Sequence, residues 1–314
     1  MSEDHRQTRT HLTELFHKLR INPRGDLGQN FLIDINLVEL VAREAQLSKD
    51  DVVLEVGTGT GGLTIFLAAE AGEVVSIEYD PNMHAIASKQ HAGLSNVQWV
   101  NTDALKNKNQ LHPLLVESVN TALARRPGST LKLVANLPYN VATPVISMIV
   151  GSAWPWSRMV VTVQWEMAVR MQATPGSSDY SGLSIWLQSQ CDIEILRKLP
   201  PDVFWPRPKI DSAVVLVTPA PARRDRIADP EFFHNYLRAI FMHRRKLLRG
   251  VLCSTYSQVA KPRIDELLQQ AGIASQARAE ELPTEIHVAL ANLLYHEVHP
   301  PTPAAGLDSL KTAN

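Results

Sequence analysis

At 314 residues, 45% of them hydrophobic, the chain is long enough for one large core with a smaller domain beside it. Its formal net charge of −1 argues mildly against a nucleic-acid binder, and no apolar run approaches the ~20 residues that a bilayer span needs. The acidic start Met1-Ser2-Glu3-Asp4 offers no secretory signal, and Cys191 and Cys253 lack metal-ligand spacing, so a cytoplasmic chain with inert thiols and no metal is expected.

Leu12, Leu15, Phe16 and Leu19 recur at helical spacing from Thr10 to Leu19, which predicts a short amphipathic helix that packs on the domain or on a partner. Asn22-Pro23-Arg24-Gly25 breaks it, so residues 1–23 read as an N-terminal extension. The next stretch, with Asn30 and Leu32, reads on its own as a loop ahead of a helix through Leu37, Val38, Leu40 and Val41. Asp51 to Val56 is a β-branched run of the kind a central parallel strand requires. It feeds Gly57-Thr58-Gly59-Thr60-Gly61-Gly62, and helical spacing resumes from Leu63 to Ala71. Strand, glycine turn and helix form a nucleotide-binding crevice, because only glycine lets the backbone come so close to a ligand. A dinucleotide site would look similar, although the spacing here is Gly-x-Gly-x-Gly.

The strand Val74 to Ile77 ends at Glu78, roughly 20 residues past the first glycine, where an acidic side chain takes ribose hydroxyls. The alternative for Glu78 is a solvated strand-end carboxylate. Val97 to Val100 is a third strand, ending at Asn101-Thr102-Asp103-Ala104, where Asp103 either accepts from an adenine amine or caps a helix. A long polar connection, Lys106 to Ser129, contains a predicted helix from Pro113 to Ala124. The apolar run Leu131 to Ala135 then enters the turn Asn136-Leu137-Pro138-Tyr139. Such a turn suits an exocyclic amine: the Asn136 oxygen and a Leu137 or Pro138 carbonyl accept its two hydrogens, Pro138 removes a competing donor, and Tyr139 offers a face for a base. Four strand ends thus meet on one edge of an open sheet, where ligands bind.

A fifth strand, Met159 to Val163, leads into a helical stretch, Gln164 to Arg170. Cys191 to Leu196 and Ser212 to Val217 read as an antiparallel hairpin at the sheet's edge, joined by a connection, Pro200 to Pro208, that would hang over the crevice. Phe204 and Trp205 in it either close the pocket around a base or anchor the loop. Pro219-Ala220-Pro221-Ala222 is a stiff linker, followed by helices from Phe232 to Leu252, Ile264 to Gln270 and Thr284 to His296. Ten basic and three acidic side chains between Ala220 and Arg263 leave that segment at +7, which suits phosphate contact better than the whole-chain charge suggests. The fold expected is α/β, a mostly parallel doubly wound Rossmann-like sheet at 24–219 with a small all-helical domain at 224–298 and a disordered tail at 299–314.

Several of these segments together resemble the ribosomal RNA adenine N6-dimethyltransferase family, most closely its bacterial small-subunit type. They are Gly28-Gln29-Asn30-Phe31-Leu32, Glu55 to Gly61, Asn136 to Asn140 with Thr143-Pro144, Phe204 to Ser212, and Arg244-Arg245-Lys246-Leu247-Leu248-Arg249. The resemblance runs from about Arg24 to about Leu294 and implies a class I methyltransferase domain that uses S-adenosylmethionine. It implies cofactor contacts from Asn30, Leu32, Gly57, Gly59, Gly61, Glu78, Asp103 and Asn136. It also implies catalysis at Asn136, Leu137, Pro138 and Tyr139 with Phe204 stacking the base, and RNA contacts from Arg223, Arg224, Arg244, Arg245, Lys246 and Arg249. The implied substrate is two adjacent adenosines in a hairpin loop near the 3′ end of small-subunit rRNA, in an immature 30S particle, with the enzyme a monomer. Trp165 and Gly182 stand where the family more often has basic residues, which puts RNA-backbone contacts there in doubt. The rivals are a large-subunit rRNA dimethylase, disfavoured by Gly28 and Leu137, and a non-catalytic assembly binder. A DNA adenine methyltransferase is a third, disfavoured because those carry Asn/Asp-Pro-Pro-Tyr at the turn.

Overall fold

The computed structural model describes residues 7–300; the acidic start and, from residue 301 on, the tail expected to be disordered lie outside the described residues. Two compact units divide the chain, one holding the residues up to Ala173 and Trp186–Pro221, the other Thr174–Ile185 and the residues from Ala222 on.

The first unit begins with α1 (Arg9–Leu19), capped at its start by the Thr8 side chain. Leu12 and Phe16 face inward and bury against Phe31 and Met83, with Trp205 beside them, so α1 packs on its own domain. β1 (Phe31–Leu32) and α2 (Ile35–Glu44) follow. Then come β2 (Asp51–Val56), α3 (Thr64–Glu70), β3 (Glu73–Glu78), α4 (Pro81–Gln90) and β4 (Val97–Asn101). The polar connection holds a small hairpin, β5 (Leu105–Asn107) with β6 (Gln110–Leu111), before α5 (Pro113–Arg125). β7 (Thr130–Asn136), α6 (Tyr139–Gly151), β8 (Trp156–Gln164) and α7 (Trp165–Met171) complete the parallel part. After α8 (Gly182–Gln188), β9 (Cys191–Leu199), β10 (Phe204–Trp205) and β11 (Ser212–Pro219) close the unit.

The central sheet has the order β4-β3-β2-β7-β8-β11-β9, in which β11 alone runs against the other six strands. The parallel strands are buried because helices cover them, and their β-branched composition follows from that. Reversal of strand order on either side of β2 and β7 opens the crevice at their C-terminal ends. A separate two-stranded ribbon pairs Phe31 with Trp205 and Leu32 with Phe204, tying the early Gly28-to-Leu32 segment to the late proline-rich one.

In the second unit α9 (Pro221–Arg224), α10 (Pro230–Phe241), α11 (Leu248–Thr255), α12 (Lys261–Gln270) and α13 (Thr284–Val298) are helical. The single helix expected over Phe232 to Leu252 is two helices separated by a turn at 242–247. Its cause is long-range: Arg244 donates to the carbonyls of Ser178 and Tyr180, and Leu247 bridges to Arg278, which pulls the chain out of helical register. Segment 174–185, expected in the sheet domain, groups with the helices because Gly176 N–H bonds to Glu280 and the Tyr180 hydroxyl to the Leu282 carbonyl. Among the described residues, no helix is long and apolar enough to cross a membrane.

Candidate active site

A cavity of about 330 Å³ opens at the C-terminal ends of β2, β3, β4 and β7, lined among others by Asn30, Gly57 to Thr60, Glu78, Asp103 and Asn136 to Tyr139. The four strand ends singled out in the sequence therefore share one crevice.

The glycine loop takes its path from left-handed backbone at Gly57, Gly59 and Gly61, with φ of 86°, 56° and 85°. A Cβ on Gly57 would also lie 2.9 Å from Pro138 Cδ, so the loop and the Asn-Leu-Pro-Tyr turn come together at Gly57, where no side chain separates them. Below the loop sits Glu55, 1% exposed, its Oε2 accepting from the hydroxyls of Thr64 and Ser76 at 2.6 Å each. Burial, with a smaller push from Glu78, raises this carboxyl to about 7 even though both hydroxyls favour its charged form. An acid in a β-branched buried strand is unusual, and that oddity was the sequence signal by which Glu55 stood to be found.

Glu78 is buried too and is raised for the same reason, desolvation. One of its oxygens accepts from Gly59 N–H and the other from Asp80 N–H, each at 2.8 Å, which rules out the solvated strand-end alternative. Each oxygen retains a second acceptor site for a diol. Asp103 uses Oδ1 to accept from Leu105 N–H at 2.9 Å; β5 and not a helix follows, so the residue closes a turn and is no helix cap. Its other oxygen is left for an amine at the cavity wall.

Asn136 ends β7 and donates its Nδ2 to the Asn30 carbonyl at 2.8 Å. A carbonyl partner fixes which way the amide is turned, so Oδ1 is the acceptor that the side chain offers. The Pro138 carbonyl is spent on starting α6, accepting from Val141 and Ala142 N–H, which leaves Leu137 to supply the second carbonyl. The Tyr139 hydroxyl meets Ser212 Oγ at 2.7 Å, so the ring is held from β11. The sequence placed Ser212 in a motif without a role; the structure sets it against Tyr139.

Phe204 is not brought to the cavity. It is 2% exposed and packs in the core with Leu37, Val41 and Val134. Pairing of β10 with β1 causes this: alternation turns Phe204 inward and sets Trp205 on the other face, 5.3 Å from the Phe16 ring. Leu32, its pairing partner, does line the cavity. Gln7 is another lining residue that no sequence signal marked; it exchanges two side-chain hydrogen bonds with Thr60, donating to its carbonyl and accepting from its hydroxyl.

Of the cations expected to touch RNA, Arg244 is engaged by Glu280 and two carbonyls, and Arg249 is bidentate to Asp265 at 2.5 and 2.8 Å. Arg223 and Arg224 are half-buried on α9. Arg245 and Lys246 are exposed on the 242–247 turn, and among the described residues neither makes an ion pair.

The raised Glu55 carboxyl predicts a pH signature. Its folded value lies above the 4.5 of an ordinary glutamate, so its contribution to stability is full below about 4.5 and is lost as pH rises through about 7. Glu55→Gln keeps an oxygen for Thr64 and Ser76 and cannot ionise. Thermal unfolding at pH 5 and pH 8 should therefore show the variant gaining on the parent by about 3 kcal/mol as pH rises. Parallel curves would mean the carboxyl stays charged in the fold.

The loop, its acidic partners and the amide turn fit a cofactor that carries a ribose, an adenine and a cationic sulfur: buried carboxylates line the wall, and Cβ-free backbone faces the ligand. The family model for ribosomal RNA adenine dimethylase matches residues 20–295. The chain is 38% identical to the ribosomal RNA small subunit methyltransferase A of Alkaliphilus metalliredigens, over 88% of this chain and 93% of that one. Identity to the protein of the same name from Moorella thermoacetica is 38%, over 87% of this chain and 93% of the other. A crystal structure of a dimethyladenosine transferase from Plasmodium falciparum superposes with a TM-score of 0.68, covering 84% of this chain and 96% of the other at 24% identity, a likeness of fold.

Proposed function

This chain belongs to the ribosomal RNA adenine dimethylase family, and from that premise we propose that it dimethylates N6 of two adjacent adenosines in a hairpin loop near the 3′ end of small-subunit rRNA. The enzyme is an S-adenosylmethionine-dependent rRNA dimethyltransferase. It acts in the cytoplasm, as a monomer, on an immature 30S particle, and so contributes to ribosome biogenesis.

The observation that carries the reading is the orientation of Asn136. With Nδ2 held by Asn30, Oδ1 is the acceptor offered to one hydrogen of an exocyclic amine, and this reading assigns the other hydrogen to the Leu137 carbonyl. Adenine N6 is a poor nucleophile because its lone pair is delocalised into the ring. Accepting both hydrogens favours a pyramidal nitrogen and returns that pair to the atom. When bound, S-adenosylmethionine supplies a methyl group on a sulfonium; Glu78, Asp103 and the glycine loop would hold its ribose, adenine and backbone-facing parts. The chain's own contribution is positioning and electrostatics, which are large terms in most sites. The amine, once alkylated, is acidic enough to pass its proton to water, and the turn is then ready for the second transfer. Arg245 and Lys246 are the cations of the second unit that this reading assigns to rRNA phosphates.

Tyr139 would stack the base after it leaves its loop. Because the ring is pinned by Ser212, Tyr139→Phe loses only that bond, whereas Tyr139→Ala loses a stacking face worth about 1–3 kcal/mol. Turnover should fall roughly 5- to 150-fold in the alanine variant and far less in the phenylalanine one, with cofactor affinity nearly unchanged in both. Loss of cofactor binding with turnover retained would remove Tyr139 from this role.

The reading as a whole is tested by incubating the protein with labelled methyl donor and unmodified small subunits or large subunits, then mapping the product nucleotides. Label on paired adenosines of the small subunit supports it; label only on the large subunit transfers the chain to the other rRNA class. No label on either leaves a binder.

A further inference from the structure

One charged cluster lies on the same edge of the sheet and has no part in the site described. Near the end of β9, the Lys198 ammonium stands 4.7 Å from the centre of the Trp165 ring and 2.7 Å from Asp211 Oδ2. Trp165 is itself anchored, its backbone N–H donating to the Asp211 carbonyl at 3.0 Å. The residue after Asp211 is Ser212, which holds the Tyr139 hydroxyl. Strand register fixes the level: Lys198 lies opposite Ala213, Ala213 opposite Val163, and the neighbouring Thr162 opposite Asn136. Lys198 is thus three strand spacings from the acceptor turn at the same height, roughly 14 Å.

This arrangement contributes little to stability. The ion pair is exposed on both sides, and such pairs are worth about 0–1 kcal/mol. What it does is organise a cation. A lysine side chain free in solvent must give up rotamer freedom to grip a ligand; here ring and carboxylate have already restricted it. Asp211 takes one of three ammonium donors, which leaves two for an incoming acceptor. The Lys198 side chain is 51% exposed, and Arg207 and Lys209 are also exposed in the loop that leads into β11.

We infer that Lys198, oriented by Trp165 and Asp211, binds a backbone phosphate flanking the adenosine presented to Asn136 and Tyr139. The inference rests on the rRNA reading above and names a contact in the sheet domain, additional to the cations of the helical unit.

Binding of unmodified small subunits is measured across a salt series for the parent chain, Lys198→Met, Lys198→Arg and Trp165→Ala, with cofactor affinity measured alongside. Lys198→Met should bind about 3- to 10-fold more weakly near 0.15 M salt, and its slope of log affinity against log salt should shrink by about 1. Lys198→Arg should restore the slope. Trp165→Ala should weaken binding and keep the slope, because the charge is still present but no longer held. Unchanged affinity and slope in Lys198→Met, with methyl transfer intact, would overturn the inference. Failure of the rRNA reading would look different: the parent chain itself would transfer no methyl to small subunits.

Discussion

Replacing Asn136 with alanine is expected to lower the rate of methyl transfer by about 10²–10³-fold while leaving cofactor affinity within a few-fold of the parent. The magnitude is that of removing one preorganised hydrogen-bond partner from a site where charge redistributes in the transition state. In the proposed mechanism the bond to Asn136 Oδ1 strengthens in the transition state while stacking holds the base in the ground state, so the loss should fall on turnover and not on KM. Asn136→Asp sharpens the test. It restores an acceptor oxygen but no longer donates to the Asn30 carbonyl, and it sets an anion against that carbonyl's oxygen across what is now a 2.8 Å hydrogen bond. Repulsion should swing the side chain away, so the aspartate variant should recover only part of the alanine deficit. Single-turnover methyl transfer at saturating cofactor separates these cases. Full activity in Asn136→Asp would mean that the Asn30 contact does not orient the side chain; full activity in Asn136→Ala would remove the residue from the chemistry.

Much of this site was legible in the chain because its parts obey short-range rules. A β-branched run followed by alternating glycines needs no tertiary information to be read as strand and loop, and Glu78 and Asp103 follow at the ends of equally plain strands. What the sequence could not settle were features decided by long-range pairing. Phe204 reads as a base-stacking aromatic as readily as a core one, and only the ribbon joining residues 31–32 to 204–205 turns it inward. Gln7 lies 53 residues from Thr60, and no local pattern announces their two hydrogen bonds. The helix expected across 242–247 fails for the same reason: the residues have adequate helical propensity, and contacts to Ser178, Tyr180 and Arg278 override it. Arg249 was counted as free positive charge, whereas Asp265, sixteen positions on, returns to neutralise it. Net charge over a segment reports composition; which cations remain available depends on the packing of helices.

The largest combined effect is expected from Gly57→Ala, which should abolish cofactor binding and turnover together. Two costs coincide at this residue. Its φ of 86° is a conformation that disfavours any Cβ, at about 1–2 kcal/mol. The added methyl would also meet Pro138 Cδ at 2.9 Å and the Asn136 carbonyl oxygen at 3.4 Å. Neither neighbour can yield cheaply: Pro138 is a rigid ring whose carbonyl starts α6, and Asn136 is the last residue of β7. Relief has to come from moving the glycine loop, the acceptor turn or both, and overpacking of that kind adds about 1–3 kcal/mol. Together these amount to roughly 2–5 kcal/mol, or about 30-fold to several-thousand-fold in affinity. Gly128 provides the matched control, since it has the same φ of 86° and a Cβ added there would meet nothing within 4 Å. Gly128→Ala should carry the backbone penalty alone, lowering thermal stability while cofactor titration and methyl transfer stay at parental levels. If both alanine variants behave alike, backbone strain accounts for the whole effect and the contact between loop and turn does not matter. If Gly57→Ala alone loses both functions, the cofactor loop and the amine-binding turn operate as one mechanical unit, which explains why a residue without a side chain is required where they meet.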